Sequence, residues 1–130
     1  MATYVLAAGF LAFVVGAAHS LLGEVLIFRH LRSGGLVPTV DAPPIRERHI
    51  RILWATWHLA TVFGWALAAV LLRLASPVSH SSLQSLVLHA IALAFLAGAS
   101  LVLIATKGRH PSWVGLSAVA VLTWLAASAA

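Results

Sequence analysis

The chain contains no cysteine, one methionine, one tyrosine and three acidic residues in 130. Without cysteine there is no structural disulfide, no thiolate metal site and no dithiol redox chemistry. Charged residues make up only 8% of the chain, against about 25% in a typical soluble domain, so most of it has little to offer water. The alternating apolar and polar segments of a membrane β-barrel are missing. So are a glycine-rich phosphate loop, a serine nucleophile motif and an HExxH zinc motif. The net charge of +5 reflects the shortage of acids more than a wealth of bases, since Lys and Arg together number 8, and no nucleic-acid partner is expected.

What the chain does contain is hydrocarbon: 62% hydrophobic residues and a mean hydropathy of +1.01. Four apolar stretches are each near the ~20 residues that cross a bilayer core of ~30 Å. They predict an all-α integral membrane protein, one domain over 1–130, with four transmembrane helices at about 3–28, 45–73, 82–105 and 111–127 and a main loop at 33–44. Short connections make successive helices antiparallel, giving an up-down-up-down four-helix bundle. Seven of the 8 basic residues (Arg29, Arg32, Arg46, Arg48, Arg51, Lys107 and Arg109) fall on one side, and only Arg73 on the other. The positive-inside rule then predicts a multi-pass protein of the bacterial inner membrane with both termini outside the cytoplasm, its basic turns near anionic lipid head groups. No Lys or Arg precedes the first stretch and arginines follow it, so it is expected to be a retained helix, not a cleaved signal.

In the first helix Gly9, Gly16 and Gly23 recur every seven residues, within ~20° of one line, a groove for close approach of another helix. The loop SGGLVPTVDAPPI is long enough to be mobile, and Asp41 is a start signal for the second helix, where Glu47 and Arg51 form an i,i+4 pair. Ser81 and Gln84 have capping-box spacing. Gly108 ends the third helix, and Pro111 opens the fourth with His110 near its N-cap. Trp54, Trp57 and Trp113 are expected in an inner aromatic belt, Tyr4 and Trp124 in an outer one, and Trp65 deeper and packed inside.

The functional question is why the apolar first helix carries His19, Ser20 and Glu24, since an ionisable group in hydrocarbon costs several kcal/mol without a partner. At 100° per residue, His19 lies about 60° to one side of Gly16, and Ser20 and Glu24 about 40° and 80° to the other, so all three are expected to face the bundle interior. Counted from the basic edge, His19 and His58 are each about 12 Å deep, Glu24 about 4 to 5 Å, and His110 at the edge. The candidate metal ligands are therefore His19, Glu24, His58 and His110, supported by Ser20, Thr61 and Trp57, because neutral imidazole and carboxylate suit Zn or Fe. His110 would have to reach inward by roughly two helical turns, which favours the set of three. His19 and His58 would be the axial pair if the cofactor were haem b. The plainer reading is that the histidines hydrogen-bond across helices, Glu24 reaches Arg29 or Arg51, and His110 caps a helix. His89 is expected to be packed, and His30, His49 and His80 solvated. No catalytic residue is assigned.

His19-Ser20-x-Leu22-Gly23-Glu24, Trp57-His58-x-x-Thr61 and Gly108-Arg109-His110 before Trp113 together resemble a group of small uncharacterised bacterial integral-membrane proteins. The resemblance covers most of the chain and implies a four-helix membrane architecture, with no activity attached. Pro111-Ser112 departs from it, where a non-proline residue would be expected.

Three functions compete on these residues. One is a metal- or haem-binding membrane protein with its polar His/Glu site in the cytoplasmic half. Another is an accessory or assembly subunit of a larger membrane complex, or a homo-oligomer, with no cofactor. The third is a proton-coupled small-molecule exporter using Glu24, against which the one-sided charge argues.

Overall fold

The computed structural model describes residues 2–76 and 80–129. Four α-helices follow one another: α1 (Ala2–Leu26), α2 (Glu47–Leu74), α3 (His80–Thr106) and α4 (Ser112–Ala129). Three of them are long and apolar enough to cross a membrane, and α4 is apolar but shorter. Large side chains such as Leu6, Phe10, Leu11, Leu21 and Leu22 of α1 stand exposed. That outward hydrophobicity is what a chain dissolved in lipid presents.

The first helix ends two residues earlier than the sequence predicts. Ile27 leaves helical geometry (φ −123°, ψ −69°), and a short 3₁₀ turn, Phe28–Leu31, follows. The break turns Phe28 inward, where it is buried with Trp54, Ala55, Val102 and Ala105, and Val37, Trp57 and Trp113 pack around them. The loop that looked mobile is folded back on this core. The Leu31 carbonyl accepts from both Thr39 (2.8 Å) and Val40 (2.9 Å), Ser33 and Thr39 hydroxyls bond at 2.6 Å, and Pro38 is buried. Asp41 does cap α2, its Oδ1 accepting the Glu47 amide at 2.5 Å, but from six residues away, so α2 starts at Glu47 and not at 45. The Glu47–Arg51 pair forms at 2.9 Å. The Ser81 side chain of the expected capping box, the side chain of His80 and residues 77–79 lie outside the described residues.

The helices pack in chain order, α1 on α2, α2 on α3 and α3 on α4; among the described residues α1 and α4 form no packed pair. Each neighbouring pair is antiparallel. Residues 57, 61 and 65 of α2 meet 19, 16 and 13 of α1, while Leu59 meets Gly98 and Phe63 meets Phe95 between α2 and α3. His89 of α3 touches Trp124 of α4 edge-on at 5.0 Å and bonds the Ser85 carbonyl at 2.7 Å, a packed histidine as expected.

The α1–α2 seam is the glycine line. A Cβ on Gly23 would lie 2.1 Å from Trp57 Nε1, on Gly16 2.8 Å from Trp65 Nε1, and on Gly9 3.0 Å from the Leu72 backbone nitrogen. The approach those glycines permit is used by three donors spaced four residues apart along one face of α2. Trp57 Nε1–H donates to the His19 carbonyl (3.0 Å), Thr61 Oγ1–H to the Gly16 carbonyl (3.1 Å) and Trp65 Nε1–H to the Phe13 carbonyl (3.1 Å). Polar contacts of this kind hold helices together where both helices and lipid are equally apolar and burial gives no drive. Trp65 is on the rim, not inside: its N–H reaches the seam and its ring stacks on Phe13 at 5.2 Å, yet the residue stays 39% exposed.

Candidate functional site

The α1–α2 seam has two flanks, and the polar residues of α1 divide between them. His19 lies on one flank, stacked on the Trp57 indole (4.4 Å between ring centroids), and lines a cavity with Phe28, Leu53 and Thr56. Ser20, Glu24 and His58 lie on the other flank, in a groove of about 540 Å³ between α1 and α3 with α2 as its floor. The α2 residues of the two cavities (53, 56, 57 and 60 against 54, 58, 61, 62 and 65) occupy faces about 120° apart.

In the groove, Ser20 Oγ sits 2.8 Å from His58 Nδ1 and donates to Thr61 Oγ1 at 2.8 Å, while Thr61 donates on to the Gly16 carbonyl. Because a carbonyl can only accept, the direction runs back along the chain. The Thr61 proton is spent on Gly16 and the Ser20 proton on Thr61, so Ser20 Oγ must accept from His58 Nδ1–H. A neutral His58 therefore carries its proton on Nδ1 and holds a lone pair on Nε2, the tautomer fixed by the partner of the other nitrogen.

Next to it, one Arg32 amino group donates to both Glu24 carboxylate oxygens, with each side chain 24% exposed. The sequence offered Arg29 and Arg51 as partners. The 3₁₀ turn and folded-back loop bring Arg32 over Glu24 instead. Arg51 is engaged elsewhere, 9% exposed, donating its Nε–H to the Ala105 carbonyl at the end of α3 and its NH1 to Glu47.

Two donors of the groove have no acceptor. Trp54 Nε1–H and Arg32 Nε–H are buried without a hydrogen-bond partner, and both residues line this cavity. Trp54 is 5% exposed and meets His58 edge to face at 4.9 Å, so it is not the lipid-facing belt residue its position suggests. His19 Nε2 is likewise buried and unpaired on the opposite flank. Arg32 and Trp54 are the site residues that sequence reasoning missed. The i,i+4 and i,i+7 spacing of Trp54, His58 and Thr61 was a readable signal for Trp54; nothing local marks Arg32.

Of the four predicted ligands, then, Glu24 and His58 share a cavity, His19 opens on the other flank, and His110 sits at the α3–α4 turn. There its Nδ1 lies 2.5 Å from Ser112 Oγ and accepts the Ser112 amide at 3.3 Å, the cap of α4. Among the described residues no group of three or more His, Cys, Asp or Glu is placed to hold a metal ion. A haem held by His19 and His58 would need both imidazoles in one cleft, and they face different ones. Comparison with protein families, curated proteins and solved structures finds no match for this chain.

Proposed function

We propose that this chain is a four-span membrane protein of the bacterial inner membrane, with its basic turns in the cytoplasm, that binds an amphiphilic molecule in the groove between α1 and α3. The fourth span is α4, whose 18 residues give a rod of roughly 27 Å, close to the hydrocarbon thickness. The observation that carries the reading is the pair of buried donors, Trp54 Nε1–H and Arg32 Nε–H, left without acceptors in two residues that line one cavity. A buried donor without a partner loses about 1–3 kcal/mol, which a ligand oxygen would restore once the side chain turns its N–H into the groove. The ligand is accordingly one with acceptor oxygens at its polar end, met by Arg32 and Trp54, with a hydroxyl or other donor for His58 Nε2. Its apolar body lies along Leu36, Val62, Leu101 and Ile104. The groove volume is in the range of small-molecule sites, ~300–1,000 Å³.

Metal or haem binding has weaker support, because the groove offers one imidazole and a carboxylate already held by Arg32. That same pairing weakens a proton-coupled exporter. An accessory role, in which a partner's helix fills the groove, is the second reading; it is favoured by α2 being the one helix on which α1 packs extensively among the described residues.

The test uses a brominated fatty acid, whose carboxylate supplies the acceptor oxygens and whose bromines quench indole fluorescence. Titrated into the purified protein in mild detergent, it is expected to quench saturably, and about tenfold more weakly for Arg32→Gln, the loss of one charge-assisted bond. Unsaturable quenching, or equal quenching of the variant, would overturn the reading. A visible spectrum and elemental analysis of the same preparation check haem and metal.

A further inference from the structure

A third cavity, sharing no lining residue with the groove, is built from cations. It occupies about 530 Å³ between the first turns of α2 and the α3–α4 turn, and Arg48, Arg51, Lys107 and Arg109 wall it, with Glu47 as the one acid. The chain has only three acids. Glu24 is held by Arg32, Glu47 by Arg51, and Asp41 accepts the Glu47 amide. Among the described residues, therefore, Arg48, Lys107 and Arg109 have no carboxylate within ion-pair distance.

The gathering of these cations is structural, not a chance of flexible ends. Arg51 ties the two walls together, reaching Glu47 on its own helix and the Ala105 carbonyl of α3. The opposing turn is closed by the Gly108 amide on the Leu103 carbonyl (3.0 Å), with Gly108 at φ 73°. Lys107 beside it stands at φ 52°, a left-handed conformation that non-glycine residues seldom adopt and that tends to be kept where function needs it. Like charges brought together this way repel unless an anion lies between them. Guanidinium forks fit the oxygens of a phosphate.

The location selects the source of that phosphate. Trp113, in the first turn of α4, donates its indole N–H to the Gly108 carbonyl (3.1 Å), and Ile52 and Thr106 form the wall toward the apolar part of the helices. A cationic cavity that begins where the apolar spans end is at the level of lipid head groups. We infer that this cavity binds the phosphate of an anionic phospholipid head group.

The test is native mass spectrometry of the full chain in mild detergent, titrated with phosphatidylglycerol and with phosphatidylcholine. Wild type is expected to prefer phosphatidylglycerol by about tenfold or more, from several cations each worth a few-fold. The Arg48→Gln/Arg109→Gln double variant loses most of that preference, Lys107→Gln loses part of it, and Arg73→Gln, at the far end of α2, keeps it. A double variant that keeps the preference would overturn the site, and an equal loss in Arg73→Gln would reduce it to net charge. Soluble pyrophosphate that displaces the lipid at equal concentration would overturn the lipid source. Thermal unfolding of each variant checks that it is folded.

Discussion

Trp54 shows how a single atom can separate stability from binding. Its indole N–H is buried and unpaired, so Trp54→Phe removes an uncompensated donor while keeping an aromatic ring against His58. The ligand-free variant is expected to melt at the same temperature as wild type or higher, while its saturable quenching by the brominated fatty acid weakens. A clear drop in melting temperature would mean that the N–H has a partner. Arg51 predicts the opposite sign. Arg51→Met strands the Ala105 carbonyl and frees Glu47, and thermal unfolding should show a loss of about 1–3 kcal/mol. His58, Ser20 and Thr61 were legible as a group from helical spacing, because each lies on a regular helix where 100° per residue holds. Arg32 was not, since its place depends on the helix breaking at Ile27 and on a loop whose bonds to Leu31 no periodicity encodes.

At the scale of the helix, the glycine line of α1 makes a prediction with an internal control. A Cβ on Gly23 would fall within 2.1 Å of Trp57, whereas one on Gly64, also inside a helix, would meet nothing within 4 Å. Gly23→Ala is therefore expected to destabilise by about 1–3 kcal/mol through overpacking. Gly64→Ala should instead stabilise by roughly 0.5–1 kcal/mol through helix propensity. Equal effects in denaturant unfolding would argue against the seam. The seven-residue recurrence announced this seam in the sequence, and the helix positions followed from the apolar runs. The donors that cross the seam were less visible, because a tryptophan near a helix end looks the same whether it faces lipid or reaches a neighbour's carbonyl.

For the molecule as a whole, the pattern of basic residues predicts an orientation, and the lack of cysteine makes that easy to check. Gly35 in the folded-back loop and Ser76 after α2 are both exposed, and single cysteines there would be the only thiols in the chain. In intact spheroplasts a membrane-impermeant maleimide is expected to label Ser76→Cys and to spare Gly35→Cys until the membrane is opened. The reverse pattern would turn the topology over. Packing order was the least legible feature, because short connections require antiparallel neighbours but leave open whether the fourth helix returns to the first.

Ser20 of α1 meets His58 and Thr61 through its side chain, but the other three bonds across the first seam end on main-chain oxygens of α1, at positions 13, 16 and 19. Such acceptors are supplied by every residue type. Apart from its three glycines and Ser20, the apolar positions of α1 can thus drift in sequence and keep the register, while Trp57, Thr61 and Trp65 on the other helix cannot be exchanged without losing a rung. The side-chain half of these three rungs is written on α2, and a library that randomises the apolar positions of α1 outside the glycine line should recover far more folded proteins than one that randomises those three.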